Sequence, residues 1–388
     1  MRARLRIGIV VPGWSGPREE AVLPALQALL WDLAASHDLR LVSLRHPPIH
    51  HGYADRGGIP VTPLGHGVRA GPFGRLAVIA SGVQALRRLH HEAPLDLVHA
   101  FWADEPGLVA VTAGRVLGRR VAVSVMGGEL AAHAEIGYGA ALGTGGRLAV
   151  AGALGGADVV TAGSSWLYAT VAARVPGVSI LRLPLGVDLA RFVPMVVPAG
   201  RPPRVLFVGS LQAVKDPVLV LRAFARVRTP GAELVIAGDG PLRPGLERLA
   251  TELGVMTRTR FLGMVPRDRL PAQYTTADVL CVPSWHEAQS MVAVEAAACG
   301  IPVVGVGVGV VPELALAGGA IVVPARDPAS VGAALDAALD PLIGPRLGAA
   351  ARAYASHTWD AQQSAERLSS LWHALSRRAS GRPSPGCA

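Results

Sequence analysis

The sequence predicts two α/β domains in tandem, each built on a mainly parallel sheet. Three observations carry this. The chain has 388 residues, more than one hydrophobic core usually supports. Short aliphatic runs alternate with longer amphipathic stretches, and the pattern restarts after a proline-rich segment. Apolar residues make up 51% but aromatics only 5%, so Val, Leu and Ala must do most of the packing, as in strands buried on both faces.

In the first half, strands are expected at Leu5–Val11, Leu39–Leu44, Leu95–Ala100, Arg120–Val125, Asp158–Thr161 and Ile180–Leu183. Helices are expected near Glu19–Ser36, Phe73–His91, Glu105–Leu117 and Gly139–Leu154. Residues 47–72, rich in Gly, Pro and His, read as loop. Alternation of this kind implies βαβ units with right-handed crossovers. Val193–Pro203 holds prolines at 194, 198, 202 and 203 and reads as a linker.

In the second half, strands are expected at Arg204–Gly209, Glu233–Gly238, Arg260–Leu262, Val279–Pro283, Pro302–Gly305 and Ala320–Val323. Helices are expected near Asp216–Arg228, Leu242–Leu253, Arg269–Ala277, Ser290–Cys299, Pro328–Leu339, Gly344–Ser356 and Asp360–Arg378. The domain expectation is therefore 1–190, a linker at 191–203, a second domain at 204–358, a final helix at 359–378 and a disordered tail at 379–388.

The net charge of +9 is spread over both halves, with no basic tail or stripe. It favours anionic small molecules or the surface of an anionic membrane, and nucleic acid is not expected as a partner. Cys281, Cys299 and Cys387 are too few and too scattered for a disulfide framework or a zinc site, which fits a reducing cytoplasm. The N-terminal apolar run ends at Pro12, too short for a signal-peptide core. Residues 301–325 are nearly all apolar, but Pro302, Pro312, Glu313 and Pro324 break them into strand, loop and strand. The expectation is a cytoplasmic protein that can touch the inner membrane face.

One count stands out. Lys215 is the sole lysine among 37 basic residues. It follows a strand end and precedes Asp216-Pro217, a plausible helix start. There it could reach phosphates as a point charge.

The chemistry concentrates in VLCVPSWHEAQSMVAVEAAACGIPVV, residues 279–304. A buried strand enters a polar loop, and the loop enters a helix near Ser290. The free N–H groups and partial positive charge of a helix start can hold a diphosphate. Glu287 precedes that start, and Glu295 lies in the second turn, about 7.5 Å along the axis from Ser290. A carboxylate there can accept hydrogen bonds from both hydroxyls of a ribose.

Glu-x7-Glu followed by Ala-Cys-Gly-Ile-Pro-Val-Val resembles the donor-site signature of the family-4 retaining glycosyltransferases (glycosyl transferases group 1). Further segments resemble that family in the same order. They are Asp96-Leu97-Val98-His99, Leu183–Asp188 with Phe192, Val208–Leu211 with Lys215, Leu234–Pro241 and Phe261-Leu262-Gly263. The resemblance implies a GT-B fold. In it, two Rossmann-like, doubly wound domains face each other across a cleft, and the C-terminal helix returns to the first domain. It also implies a metal-independent transferase with no cofactor, whose donor is a UDP- or GDP-linked sugar and whose acceptor is a hydroxyl. The donor site would comprise Gly209, Ser210, Lys215, Gly240, Gly263, Met264, Glu287, Ser290, Met291, Val292 and Glu295. Glu287 would hold the sugar and Glu295 the ribose, while the leaving phosphate takes the acceptor proton. No Asp-x-Asp metal motif occurs in the chain.

The chain departs from the family at four places. Ser210 stands where the family has Arg. Ala288-Gln289-Ser290 replaces a Gly-Phe-Gly type sequence. Gly309-Val310 replaces a Gly-Gly turn, and Val310 cannot easily adopt positive φ. Met126-Gly127 replaces a His-Gly whose histidine lies near the reacting sugar, which leaves His133 and His99 as candidates for that role. Gly13 and Trp14 after the first strand, with Gly127, are expected in the acceptor and diphosphate loops. Other readings stay open: a sugar-nucleotide epimerase or a phosphorylase-like enzyme on the same fold, or a non-catalytic subunit that binds donor. A nicotinamide-dependent oxidoreductase is suggested only by the incomplete fingerprint Gly305-Val306-Gly307-Val308-Gly309.

Overall fold

The computed structural model describes residues 3–15, 24–48, 51–67, 72–195 and 200–379. Two compact units emerge. One takes the described residues up to Gly163, Leu167–Gly186 and those from Gln362 on; the other takes Ser164–Trp166 and Val187–Ala361.

The first unit holds strands β1 (Arg6–Gly13), β2 (Asp38–His46), β3 (Tyr53–Ala54), β4 (Pro60–Pro63), β5 (Leu97–Phe101), β6 (Arg120–Val125), β7 (Val159–Ala162) and β8 (Ile180–Arg182). Helices α1 (Pro24–Ala34), α2 (Pro72–Glu92), α3 (Glu105–Leu117), α4 (Thr144–Gly156) and α5 (Ser165–Arg174) alternate with them. The sheet order is β3-β4-β2-β1-β5-β6-β7-β8, parallel except where β3 pairs with β4. Ile7, Ile9, Val10 and Val11 of β1 are fully enclosed, as a central strand covered on both faces requires. The direction of winding reverses between β1 and β5, where open α/β sheets place their ligand crevice.

The second unit holds β9 (Arg204–Val208), β10 (Glu233–Ala237), β11 (Thr259–Gly263), β12 (Val279–Val282), β13 (Val303–Val306) and β14 (Ala320–Val323). Its helices are α6 (Pro217–Phe224), α7 (Arg243–Glu252), α8 (Leu270–Thr275), α9 (Met291–Ala298), α10 (Val311–Leu316), α11 (Pro328–Leu339) and α12 (Gly344–Thr358). All its strand pairs are parallel, in the order β11-β10-β9-β12-β13-β14. The direction of winding reverses between β9 and β12, so their carboxyl ends frame this unit's crevice.

The last helix, α13 (Ala361–Ala379), belongs to the first unit. Leu368, Leu371, Trp372 and Leu375 join a core cluster with Ile7, Ile9, Leu97 and Phe101. Each such side chain taken from water stabilises by roughly 1.5–3 kcal/mol. The sequence-based expectation of two Rossmann-like sheets with interleaved helices and a returning C-terminal helix describes this architecture.

The differences are local. Residues 47–72, read as loop, contain β3 and β4. Pro60 and Pro63 disguise β4, yet they are its first and last residues, and a proline is tolerated where a strand begins; Ile59 and Val61 are buried. Two helices were not expected, α5 and α10. Short α10 hides in the apolar run 301–325, where Pro312 starts a helix rather than breaking a strand. The helix expected from Gly139 begins at Thr144, after a 3-10 turn at Ala140–Leu142. The expected start at Glu19, part of the linker and nearly all of the tail lie outside the described residues. Among the described residues no helix is long and apolar enough to cross a membrane.

Candidate active site

The strongest constellation forms where β9 and β12 end side by side in the second unit. After β9 the chain passes Gly209 and Ser210 into a 3-10 turn, Ala213–Lys215. Glycine is needed here for close approach, because a Cβ on Gly238 would lie 1.9 Å from the Gly209 carbonyl oxygen. Asp216 then takes a left-handed conformation (φ 45°) and caps α6 by accepting from the Leu219 N–H at 3.1 Å. After β12, the loop Pro283–Ser290 runs alongside, and the Trp285 N–H donates to the Val214 carbonyl at 2.8 Å.

The two loops meet in an ion pair. Lys215 Nζ donates to Glu287 Oε1 at 2.7 Å, and Ser284 Oγ donates to the same oxygen at 2.7 Å. Glu287 is 7% exposed, whereas the lysine side chain retains 28%. The carboxylate is therefore fixed while the ammonium faces partly outward. Ser290 precedes α9 with φ 75°, a strained value for a residue with a side chain. Its hydroxyl is buried and has no hydrogen-bond partner among the described residues.

Glu295 sits in the second turn of α9 and accepts from Tyr274 Oη at 2.7 Å. Burial pushes its pKa up, while Tyr274 and the charges of Arg267 and Arg191 oppose the shift. The same burial, together with Glu295, raises the Tyr274 phenol well above its ordinary value. Gly240 approaches Leu211, where a Cβ would lie 2.7 Å from its carbonyl oxygen. Gly263 ends β11 with φ 68°, and Met264 beside it is 75% exposed. Met291 and Val292, the first residues of α9, are half-buried. The expected donor residues thus fall on loops at one end of one sheet or on the helix that follows.

The strain expected at Val310 does not occur. Gly309 carries the positive φ, at 59°, and Val310 is ordinary helical backbone at −86°. The Val310 N–H donates to the Gln289 carbonyl at 2.9 Å, so the turn supports the donor loop from behind.

In the first unit two expectations need correction, those for Trp14 and His99. Trp14 is fully enclosed, and its indole donates to Asp55 at 2.9 Å. Asp55 also accepts from Trp31 Nε1 at 3.0 Å, so Trp14 is a packing residue. Gly13 lies against His46, where a Cβ would be 3.2 Å from the histidine Cβ. Its small size serves the β1–β2 contact. His99 is also fully enclosed. Trp372 Nε1 donates to its Nδ1 at 3.0 Å, which leaves Nε2 as the protonated nitrogen, 2.8 Å from Ser124 Oγ. Burial lowers its pKa to about 3. A neutral imidazole with both nitrogens engaged has no route to a substrate.

Gly127 and Met126 lie in a loop organised by Glu129. This buried carboxylate accepts from the N–H groups of Met126 (2.9 Å), Gly127 (2.6 Å) and Ala103 (3.1 Å). Burial pushes its pKa up against those bonds. Neighbouring Asp104 is raised to about 7 by burial, then by Glu129 and Glu105. His133 is half-buried, and its backbone forms a bridge with Tyr138.

Sequence reading missed Ser284, Tyr274 and Arg326. Arg326 follows β14 and contacts the β12 loop across more than forty positions; nothing in its local sequence marks it among the other arginines.

Comparison with known proteins bears on residues 196–342 and on the fold. Residues 196–342 match the family model described as glycosyl transferases group 1. The D-inositol 3-phosphate glycosyltransferase of Salinispora tropica is 41% identical over 149 aligned residues, covering 32% of this chain and 31% of that protein. The protein of the same name from Mycolicibacterium smegmatis is 43% identical over 141, covering 33% and 32%. The matched stretch thus spans about a third of these relatives' length. Among solved structures, a sucrose-phosphate synthase of Thermosynechococcus elongatus superposes with a TM-score of 0.81 at 20% identity, over 97% of this chain and 100% of that one. Anabaena HepE, solved with UDP and glucose, gives 0.73 at 19% identity, over 96% and 100%. Residues 196–342 therefore match the glycosyl transferases group 1, and the chain as a whole has the GT-B fold.

Proposed function

We propose that this chain is a retaining glycosyltransferase that moves a sugar from a nucleoside-diphosphate sugar to an acceptor hydroxyl without a metal ion. The observation that carries the reading is the Lys215–Glu287 pair, 2.7 Å apart, on the two loops framing the crevice of the second unit. An ammonium has three donors, so Lys215 can keep Glu287 and still offer hydrogen bonds to a diphosphate. The start of α9 adds N–H groups and a positive dipole end. Together they stabilise the charge that grows on the leaving diphosphate as the glycosidic bond breaks.

In this reading Glu287 accepts from sugar hydroxyls and fixes the ring, Glu295 accepts from the ribose, and Gly263 with Met264 borders the base. Attack on the face the diphosphate leaves retains configuration, and the phosphate takes the acceptor proton. Of the first-unit candidates, Gly127 and His133 stay as acceptor-side groups. The net charge of +9 favours anionic substrates and contact with an anionic membrane surface. That the Anabaena neighbour was solved with UDP-glucose makes UDP-sugars the first donors to try.

The test is a panel of UDP- and GDP-sugars scored for binding and slow hydrolysis, with Glu295→Ala as the control. Binding of one donor class by the wild type and its loss in the variant is expected. Equal, negligible binding of every donor by both proteins overturns the reading.

A further inference from the structure

Arg326 lies in the turn between β14 and α11. Its Nη1 donates to two carbonyls of the β12 loop, Pro283 at 2.7 Å and Ser284 at 3.0 Å. Its Nη2 donates to Asp216 Oδ2, on the turn that carries Lys215. Its guanidinium also stacks on Trp285, with Cζ 4.0 Å from the ring centroid. Three of these partners precede Glu287 by two to four positions, and the fourth directly follows Lys215. Besides the Lys215–Glu287 pair itself, the Trp285 N–H to Val214 bond also links the two loops.

We propose that Arg326 is a positioning residue for donor binding: its planar fork ties the lysine turn to the glutamate loop and so sets the register of Lys215 against Glu287. The proposal rests on the donor-site reading above and goes beyond it, since Arg326 itself faces the protein's own carbonyls and carboxylate. Geometry favours arginine for this task. One rigid, always charged group with five donors reaches two backbone oxygens and a carboxylate together, which a lysine cannot do. Asp216 is held twice over, by Arg326 and by its capping bond to Leu219. The strained turn that presents Lys215 is thereby fixed at both carboxylate oxygens.

The experiment uses the full chain, titrated calorimetrically with UDP and with GDP. The proteins compared are wild type, Arg326→Ala, Arg326→Lys, Lys215→Ala and the Arg326→Ala/Lys215→Ala double variant, each checked for a single cooperative thermal transition. Arg326→Ala is expected to weaken the nucleotide that wild type binds by on the order of 10- to 100-fold, the scale of a misplaced contact group. Arg326→Lys should recover part of the loss. The decisive readout is the double variant, which should bind no more weakly than Lys215→Ala alone, because Arg326 acts through Lys215. A merely structural arginine would give independent effects that multiply.

The proposal is overturned if Arg326→Ala binds within two-fold of wild type, or if the two losses multiply. Should Arg326→Ala not fold, Arg326→Lys with and without Lys215→Ala makes the same comparison. A wild type that binds neither nucleotide sinks the donor-site reading itself, and this proposal with it.

Discussion

Lys215 Nζ and Glu287 Oε1 lie 2.7 Å apart although 72 positions separate them in the chain. The pair joins the first and fourth strand ends of the second sheet at the point where its winding reverses. Lys215 is also the sole lysine, so its removal is chemically unambiguous.

Lys215→Met should reduce nucleotide affinity by at least 10-fold and destabilise the protein by about 1–3 kcal/mol, since buried Glu287 loses its counter-charge. Adding Glu287→Gln should restore stability without restoring affinity. Urea melts and calorimetric titration of the two variants separate these outcomes.

Ser290 combines a strained backbone with a buried hydroxyl that has no partner among the described residues. Ser290→Gly relieves both and should gain about 0.5–1 kcal/mol, the left-handed penalty less the extra chain entropy of glycine. Ser290→Ala relieves only the second and should gain less. A reversed order in chemical denaturation would mean that the backbone there is not strained.

Asp104 gives a pH dependence whose sign is fixed. Its folded pKa of about 7 lies above the ordinary 3.8. The native state therefore binds more protons between those values, and this group's contribution declines as pH rises from about 4 to about 7. Glu129, raised by burial as well, has the same sign. Asp104→Asn should be more stable than wild type at pH 8, with the advantage shrinking toward pH 4. Denaturation curves at pH 4, 6 and 8 measure it; a difference independent of pH would contradict it.

Trp372→Phe keeps most of the buried ring but removes the donor to His99 Nδ1. It should cost about 1–3 kcal/mol and leave nucleotide affinity unchanged. A large affinity change would assign this tryptophan a role beyond packing.

What the sequence makes legible follows from range. Central strands such as β1 and β12 are runs of enclosed aliphatics, and their local pattern suffices to find them. β4 escapes because Pro60 and Pro63 break that pattern and only Val61 and Pro63 of its four residues are buried. The candidate donor residues Lys215, Glu287 and Glu295 are each visible, one by rarity and two by spacing. Their mutual geometry is not, because it depends on which strand ends become neighbours. Trp14 and His99 mislead for the opposite reason. Trp14 follows the end of β1 and His99 lies near the strand end that the sequence predicts, where ligands often bind, yet Asp55 and Trp372, distant in sequence, enclose them. Arg326 has no local signature, since its meaning lies entirely in Asp216, Pro283, Ser284 and Trp285.

The return of α13 to the first unit has a consequence for biosynthesis. Ribosomes make residues 187–361 between the body of that unit and the helix whose Leu368, Trp372 and Leu375 complete its core. Domains commonly fold in the order of synthesis. Here the first-made half must wait, with the apolar seat of α13 uncovered and His99 lacking its indole donor, until α13 leaves the exit tunnel. The second half can therefore mature before the core of the first is complete, against the order of the domains along the chain.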